Sequence, residues 1–176
     1  MPIKVSTLLL VFSAGFFAYT GYLLYQQHAP IPDPAPQSQP QAASPSATLR
    51  LAFPQLDISL PVYPAKLTGT HWDYSSIGIS HLSSTPWPGQ PGNAVFYGHD
   101  WPNLLGRLHA VQIGDQIKVT TSAGNILTYN IDATRIVSPD HLEVIAPTPD
   151  SRLTLFTCTG FLDSQRLVVT AHLLHS

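Results

Sequence analysis

The chain has 176 residues, with eight Lys and Arg against ten Asp and Glu and a formal net charge of −2. Only 10% of its residues are charged, whereas an average soluble protein has about 25%. The length predicts one domain with short appendages. The slight acidic excess and the lack of a glycine-rich phosphate loop argue against a nucleic-acid-binding protein and against a P-loop enzyme.

An apolar segment begins close to the N-terminus. No charged side chain lies between Lys4 and Asp33, and the run from Val5 to Tyr25 is predominantly apolar. As a helix rising about 1.5 Å per residue, this run would span roughly the 30 Å hydrocarbon layer of a bilayer. Residues 1–28 are therefore predicted to hold a single-pass membrane anchor. Because Lys4 and the amino group are the positive charges before the span, the N-terminus is predicted to be cytoplasmic and the rest extracytoplasmic.

A cleaved signal peptide is the alternative interpretation of this segment. Signal peptides usually have an apolar region of about 7–15 residues that is followed by small residues at a cleavage site. Here the apolar run is longer and ends in Tyr22, Leu23, Leu24 and Tyr25, which suits an interfacial anchor. An uncleaved signal anchor is the favoured interpretation.

A proline-rich segment follows the anchor at residues 29–47 and also contains Gln, Ser and Ala. It offers no apolar face, and proline removes backbone donors, so the segment is predicted to be extended. In polyproline geometry, at about 3.1 Å per residue, it would hold the domain at residues 48–176 up to roughly 60 Å from the bilayer.

From Thr48 onward the pattern is typical of a mainly β protein, because short runs of Val, Ile, Thr, Leu and aromatic residues are bounded by Gly, Pro, Asn and Asp. Strands are predicted over residues 49–53, 93–97, 116–121, 125–136, 152–158 and 166–172. Short helices are predicted from Trp101 to Leu108 and from Pro139 to Ile145, the second capped by Ser138. Many short strands with little helix indicate a closed barrel or a sandwich.

Cys158 is the one cysteine of the chain and ends a predicted strand. Most unpaired cysteines are small buried hydrophobes. A lone cysteine accompanied by distant histidines is nevertheless a candidate nucleophile, because the attacking thiolate needs a neighbour that favours it. Strand alternation lets Cys158 and Arg166 project to the same side near one end of the sheet. His99 follows Gly98, whose missing side chain would let a partner or substrate approach closely.

The segments around these residues resemble those of sortases, the cell-surface cysteine transpeptidases of bacteria. Thr-Leu-Phe-Thr-Cys at 154–158 fits the Thr-Leu-x-Thr-Cys motif, and Arg-Leu-Val-Val at 166–169 resembles the arginine strand that follows it. Pro-Gly-Asn-Ala-Val-Phe-Tyr-Gly-His at 91–99 is similar to the segment that carries the catalytic histidine. The resemblance covers roughly residues 48–173, and segments in the family's order also lie at 105–108, 114–119 and 136–139.

The resemblance implies a closed eight-stranded barrel with Cys158, His99 and Arg166 as catalytic residues and with Thr157 and Gly98 at the substrate. It implies that Cys158 attacks the Thr-Gly bond of an LPxTG-like C-terminal signal on a secreted protein. The thioacyl group would then pass to an amine acceptor, either a peptidoglycan precursor or a pilin lysine.

In that scheme His99 favours the thiolate and protonates the departing amine. Arg166 keeps its charge and supports the oxyanion or positions the peptide backbone. Asp100 stands where many sortases carry Arg or Asn, and the loop from Thr159 to Gln165 is short, so the subclass and the sorting motif stay open. The chain shows no large insertion, which favours minimal sortases resembling classes D and E.

No cofactor and no metal site are predicted. His172 and His175 are spaced H-x-x-H, but on a strand this spacing sends the two rings to opposite faces, and Cys158 has no second thiol to complete a zinc site. Calcium modulation, which is known in some sortases, stays open.

Two other functions remain as alternatives. The chain could be another cysteine peptidase of the cell envelope, or a catalytically inactive tethered β-barrel that binds an envelope partner. Loss of the Cys, His or Arg would be expected of the inactive module. All three are present, which favours the transpeptidase.

Overall fold

The computed structural model describes residues 15–25 and 49–174. The chain divides into two units, Met1–Pro30 and Ile31–Ser176. In the first unit, residues 15–25 are helical. The start of the predicted membrane span and the predicted linker at 29–47 lie outside the described residues. Within the described ranges, no helix combines the length and the apolar character that crossing a bilayer requires.

Residues 49–174 form a closed eight-stranded barrel, which confirms the predicted mainly β fold. The strands follow the order β1-β2-β5-β6-β9-β10-β8-β7 around the barrel, and β3 pairs with β4 in a separate hairpin. The β2–β5 and β6–β9 pairs are parallel, and the other pairs are antiparallel. The strands are β1 Arg50–Phe53, β2 Ile58–Ala65, β3 Leu67–Thr68, β4 His71–Trp72, β5 Ile79–Leu82, β6 Gly92–Gly98, β7 Gln116–Thr120, β8 Ile126–Val137, β9 Ser151–Thr159 and β10 Gln165–Leu173.

Two barrel strands, β2 and β5, are missing from the sequence prediction. Proline donates no backbone hydrogen bond, so Pro61 and Pro64 argue against a central strand at β2. The structure accommodates them because β1 pairs with the first half of β2, residues 58–61, and β5 with the second half, residues 62–65, so each proline has a paired strand on one side alone. At four residues, β5 is too short to show a clear alternation.

The predicted helix from Trp101 to Leu108 is wrong. This segment forms successive turns, followed by a 3-10 helix at Leu108–Ala110. The chain folds back tightly here: the Gly106 N–H donates to the Trp101 carbonyl at 2.9 Å, and a Cβ on Gly106 would collide with the Asp100 carbonyl. Glycine permits this close approach, whereas the i→i−4 bonds of an α-helix would not produce it.

The predicted helix from Pro139 to Ile145 is shorter than expected. The structure has a 3-10 helix at Leu142–Ile145, and its N-cap residue is His141, with no side-chain cap bond. The predicted cap, Ser138, lies before this helix, and its side chain lowers the pKa of the Asp140 carboxyl instead. Further 3-10 helices lie at Pro54–Leu56 and Phe161–Asp163.

Two apolar clusters lie on opposite sides of the barrel wall. Alternate residues of β9 and β10, such as Leu153, Leu155 and Val169, point inward and are fully buried in the main core. Their neighbours Phe156 and Val168 point outward into a second cluster. Residues from β4 and from the Leu142–Ile145 helix pack over this second cluster. Its members are Ala65, Leu82, Val95, Tyr97, Phe156 and Val168, covered by Trp72, Val137, Val144 and Ile145.

Asn93 on β6 ties the covering segment to the barrel. Its side-chain amide donates to the carbonyls of Val144 and Ala146, each at 3.1 Å, and its Oδ1 accepts from the Thr154 hydroxyl at 2.7 Å. Asn93 is only 3% exposed. Because an unpaired buried amide is costly, these bonds fix the Leu142–Ile145 helix over the outer cluster.

His81 on β5 is completely buried, and its ring stacks on Trp87 with centroids 4.2 Å apart. Its Nε2–H donates to the Pro86 carbonyl at 3.1 Å, whereas Nδ1 has no hydrogen-bond partner. Burial lowers the pKa of His81. Protonation would therefore place an unpaired charged donor inside the protein.

We expect His81 to make folding stability depend on pH. As pH falls, the unfolded chain takes up this proton first, so the stability contribution is complete above the unfolded pKa of about 6.5 and declines below it toward the lower folded pKa. Thermal unfolding should show a falling Tm between about pH 7 and pH 5, and His81→Gln should flatten that slope. The matched change in an exposed histidine, His71→Gln, should leave the slope as it is. An unchanged slope in His81→Gln would contradict the assignment.

Candidate active site

Strand pairing brings the three predicted catalytic residues to one end of the barrel. The antiparallel register of β9 and β10 places Arg166 directly opposite Cys158. The parallel register of β6 and β9 places Gly98 opposite Thr157. His99 follows Gly98 and Cys158 follows Thr157, so both lie at the same end of the paired strands. Their catalytic roles stay predictions at this point.

Thr157 and Gly98, the two residues predicted to bind substrate, are both buried. The Thr157 hydroxyl donates to the Gly98 carbonyl at 2.8 Å. A Cβ on Gly98 would lie 3.3 Å from the Leu105 side chain, so the missing side chain makes room for Leu105. Their role at the substrate stays a prediction, and the contact observed is a hydrogen bond that holds the ends of β6 and β9 together.

The Cys158 thiol is half-buried and lies among opposing charges. Burial is the largest influence on its pKa and raises it, while the Arg166 guanidinium lowers it. The Asp163 and Asp100 carboxylates also raise it, and the net direction is upward. The resting group is therefore the thiol, with Arg166 as the neighbour that favours the thiolate.

His99 shares the surroundings of the thiol. Burial lowers its pKa most strongly, and Asp100 and Asp163 oppose that effect. Its ring stacks on Trp101 at 4.5 Å between centroids, with an angle of 11°. The same two carboxylates thus act on both the imidazole and the thiol, and at neutral pH the two groups rest in their uncharged forms.

Arg166 is held by the backbone of the loop between β9 and β10. Its Nη1 donates to the carbonyls of Asp163 and Gln165, each at 2.8 Å. Leu162 and Asp163 have φ values of 51° and 59°, a left-handed conformation that curls the loop toward the guanidinium. Among the described residues, Nε and Nη2 have no hydrogen-bond partner. These donors are free for a developing oxyanion.

Four aromatic rings form a cluster next to the thiol, and sequence analysis assigned none of them to the site. Tyr97 stacks on Phe156 at 5.3 Å, and Trp72 meets both rings edge-on at 5.0 and 5.5 Å. Tyr74 contacts Tyr97 at 5.4 Å and the His99 ring at 5.3 Å. Cys158 and Arg166 both perturb the pKa of Tyr74, which burial raises. Tyr74 therefore connects the cluster to the catalytic residues.

A groove of about 240 Å³ runs from Arg166 over the outer apolar cluster. Its floor is Phe156 and Val168, and its walls come from the β3–β4 hairpin and from the segment after β8. Mostly apolar walls with a charged end suit an extended peptide whose side chains are apolar and whose backbone is polar. The lining residues are Thr70, Trp72, Tyr74, Val137, Ser138, Pro139, His141, Leu142, Val144, Ile145, Phe156, Arg166 and Val168.

Within residues 15–25 and 49–174, no group of three or more His, Cys, Asp or Glu side chains is placed to hold a metal ion. His172 lies on β10 with Nδ1 at 3.6 Å from the Asp132 carboxylate. His175, its predicted partner in the H-x-x-H spacing, is outside the described residues.

Sequence comparison gives two relatives of similar identity. The chain is 30% identical over 131 residues to sortase A of Streptococcus agalactiae serotype III, covering 70% of this chain and 51% of that protein. It is 31% identical over 111 residues to sortase A of Listeria monocytogenes, covering 61% of this chain and 47% of that protein. The chain spans about half the length of the curated relatives it matches.

Solved structures share the fold. A lid mutant of sortase A from Corynebacterium diphtheriae superposes with a TM-score of 0.67 at 28% identity, covering 90% of this chain and 95% of that one. Sortase C-1 from Actinomyces oris gives 0.63 at 27% identity, covering 77% of each chain. A Clostridium perfringens sortase D5 transpeptidase gives 0.63 at 23% identity over 73% of this chain and 79% of that one, and this likeness shows the fold alone.

These matches include sortases named A, C and D, so the leaning toward classes D and E stays a prediction. Residues 51–174 match the Sortase domain family. This match spans well over half of the chain and includes Cys158, His99 and Arg166. The chain belongs to the sortase family.

Proposed function

We propose that this chain is a cysteine transpeptidase that cleaves a C-terminal sorting signal of a secreted protein and transfers the product to an amine. The observation that carries the proposal is the β9–β10 register, which sets Arg166 opposite Cys158 beside an apolar groove. His99 leaves its strand at the same end of the barrel. A nucleophile, a proton carrier and a fixed cation thus surround one end of a peptide-sized groove.

Acylation begins with transfer of the Cys158 proton to His99. The thiolate attacks the carbonyl carbon of the scissile bond, and the oxyanion that forms accepts hydrogen bonds from Nε and Nη2 of Arg166. Collapse of this intermediate breaks the C–N bond. The His99 imidazolium gives its proton to the departing amine, which leaves a thioester on Cys158.

Transfer reverses these roles. The acceptor amine attacks the thioester carbonyl, and neutral His99 removes its proton. A new C–N bond forms as the C–S bond breaks, and the proton on His99 returns to the Cys158 thiolate. The proposed acceptor is an amine of a peptidoglycan precursor or a lysine of another pilin subunit, and water in its place would give hydrolysis.

We further propose that residues 1–28 anchor the chain in the cell membrane, with the N-terminus cytoplasmic and the catalytic domain extracytoplasmic. The apolar run from Val5 to Tyr25 supports this placement. The helical residues 15–25 also expose large apolar side chains, including Phe16 and Phe17, as a helix in contact with lipid would. A substrate carrying a C-terminal signal would meet the enzyme on the same side of the membrane.

Removing the positive or the negative charges around Cys158 should shift the pH dependence of its alkylation in opposite directions. Arg166→Gln removes the cation that lowers the thiol pKa, so alkylation by iodoacetamide should require higher pH. Asp163→Asn removes a carboxylate that raises the pKa, so its profile should move to lower pH, and Asn tolerates the left-handed backbone at this position. The rates are read by mass spectrometry across pH, with the exposed Lys118→Gln as an unshifted control. Shifts of both site variants in one direction would contradict the arrangement.

Catalysis should depend differently on the thiol and on the arginine. With an LPxTG peptide and a short glycine peptide as the amine, mass spectrometry should show Cys158 acylated by the peptide's N-terminal part and then the ligated product. Cys158→Ala should abolish both species. Arg166→Ala should lower kcat roughly 100- to 1,000-fold through loss of oxyanion support while the thiol stays alkylatable.

The control for this assay is Lys118→Ala, which should retain wild-type turnover. Cleavage that survives in Cys158→Ala would refute the thiol mechanism. Peptide binding without any acylation of the wild-type thiol would instead favour an inactive tethered binding module.

Membrane anchoring should be visible by fractionation. The full-length chain should remain with membranes after alkaline carbonate extraction, whereas a truncated chain that begins at Thr48 should be soluble. The mature N-terminus should still include Val5 by sequencing. A mature chain that begins after residue 13 would show that the segment is a cleaved signal peptide.

A further inference from the structure

A second cavity, of about 430 Å³, lies on the same face of the barrel as the groove. We call it the distal cavity. It shares Val137, His141, Val144 and Val168 with the groove, so the two form one continuous depression. Its other lining residues are largely polar: Asn93, Ala133, Arg135, Glu143, Ala146, Pro147, Thr148, Arg152, Thr154 and Thr170.

Strand register gives the distance between the distal cavity and the nucleophile. Along β10, the outward residues Arg166, Val168 and Thr170 succeed each other in steps of two. Thr170 therefore lies about 13 Å along the strand from Arg166 at about 3.3 Å per residue. An extended substrate rises by the same amount per residue. If the attacked residue is counted as the first, the fifth and sixth residues reach the distal cavity.

The part of the substrate that occupies this depression is the part on the N-terminal side of the attacked bond. This acyl portion stays in the site from substrate binding until its transfer to the acceptor, as a thioester on Cys158 between the two steps, so it benefits from an extended binding surface. The portion after the bond departs with the amine and must vacate its place for the acceptor. A four-residue Leu-Pro-x-Thr segment would fill the groove, and the residues before it would enter the distal cavity.

Arg135 is the available charge of the distal cavity. It lies on β8 opposite Val168, two residues before Thr170 along β10, and its exposed side chain lines the distal cavity together with Thr170 and not the groove. This side chain makes no hydrogen bond or ion pair with any described residue. The cavity's other arginine, Arg152, already pairs with Asp150 at 3.1 Å.

The remaining polar groups of the cavity are engaged. The Glu143 carboxylate accepts a hydrogen bond from His141 at 2.6 Å, and the Thr170 hydroxyl donates to Asp132. The Thr154 hydroxyl donates to Asn93. Of the two arginines in the lining, Arg152 is paired with Asp150, so Arg135 is the one whose charge no described carboxylate neutralises, and the one glutamate, Glu143, is already engaged by His141. A carboxylate on the substrate therefore fits this cavity better than an ammonium group does.

We propose that the distal cavity is a subsite for an acidic side chain at the fifth or sixth substrate residue, with Arg135 as its partner. This subsite selects among secreted proteins by the sequence that precedes the sorting signal. The inference rests on the proposed transpeptidase function. It adds a preference for an acidic substrate residue, which transpeptidation by itself does not require.

The first test compares three sorting peptides that differ only at the fifth and sixth positions, which carry Glu, Gln or Lys. The full-length protein in mild detergent should use the Glu peptide with a kcat/KM about threefold above that of the Gln peptide at low salt, and the preference should shrink at high salt, as expected for an exposed pair. Arg135→Gln should remove the preference and leave the Gln peptide unaffected. Lys118→Gln is the matched control and should keep the wild-type preference.

Charge reversal separates recognition from a structural effect. Arg135→Glu should prefer the Lys peptide over the Glu peptide, which a merely loosened barrel would not produce. If wild type and all Arg135 variants turn over the three peptides equally, or if Arg135→Gln slows all three alike, the subsite is refuted and the transpeptidase function stands.

A binding measurement keeps the two proposals distinguishable. Fluorescently labelled peptides are titrated into Cys158→Ala, and into the same variant carrying Arg135→Gln, by polarisation. Tighter binding of the Glu peptide that depends on Arg135 supports the subsite even where no peptide is cleaved, in which case the catalytic proposal alone fails. Equal binding of the Glu and Gln peptides refutes the subsite.

Discussion

The structure of the site depends on the pairing of β9 with β10. Because side chains alternate between faces, a slip of one residue in this register would move Arg166 away from its place opposite Cys158 and exchange the groove floor for core residues. Phe156 and Val168 face outward in the observed register and Leu155 and Val169 face inward. The inward side chains are fully buried, so the packing of the core fixes the register. The register in turn determines which side chains face outward at the predicted catalytic residues.

Burial also governs the chemistry, because it is the largest influence on the pKa of both reacting groups. It raises the pKa of the Cys158 thiol and lowers that of His99, so both shifts favour the uncharged pair. Arg166 opposes the effect on the thiol, whereas Asp100 and Asp163 reinforce it. The resting site is balanced toward the thiol, and in the proposed mechanism the thiolate forms when proton transfer to the imidazole accompanies attack.

Strands with a long alternating pattern could be predicted from the sequence, whereas short or interrupted strands could not. β9 and β10 were predicted to within one residue at each end, and motif resemblance led from them to the barrel. β2 was missed because its prolines contradict a central strand, although each half of β2 pairs with a neighbour on one side alone and so accommodates them. Trp72 and Tyr74 were missed because they lie on and just after a two-residue strand, where no periodicity exists. Aromatic residues at i and i+2 after the Gly69 turn were the available signal.

One strand, β6, holds the wall of the groove at its start and positions His99 at its end. Near its start, Asn93 holds the covering segment over the groove through two backbone carbonyls. At its end, the Gly98 carbonyl accepts the Thr157 hydroxyl, and His99 follows. The Asn93 side chain and the Thr157–Gly98 contact are buried, so losing a partner of either would be costly. The span from Asn93 to Gly98 is about 17 Å at 3.3 Å per residue. A rigid strand, rather than a loop, therefore sets the distance between the groove wall and His99, and in the proposed function it fixes the length of peptide that fits between them.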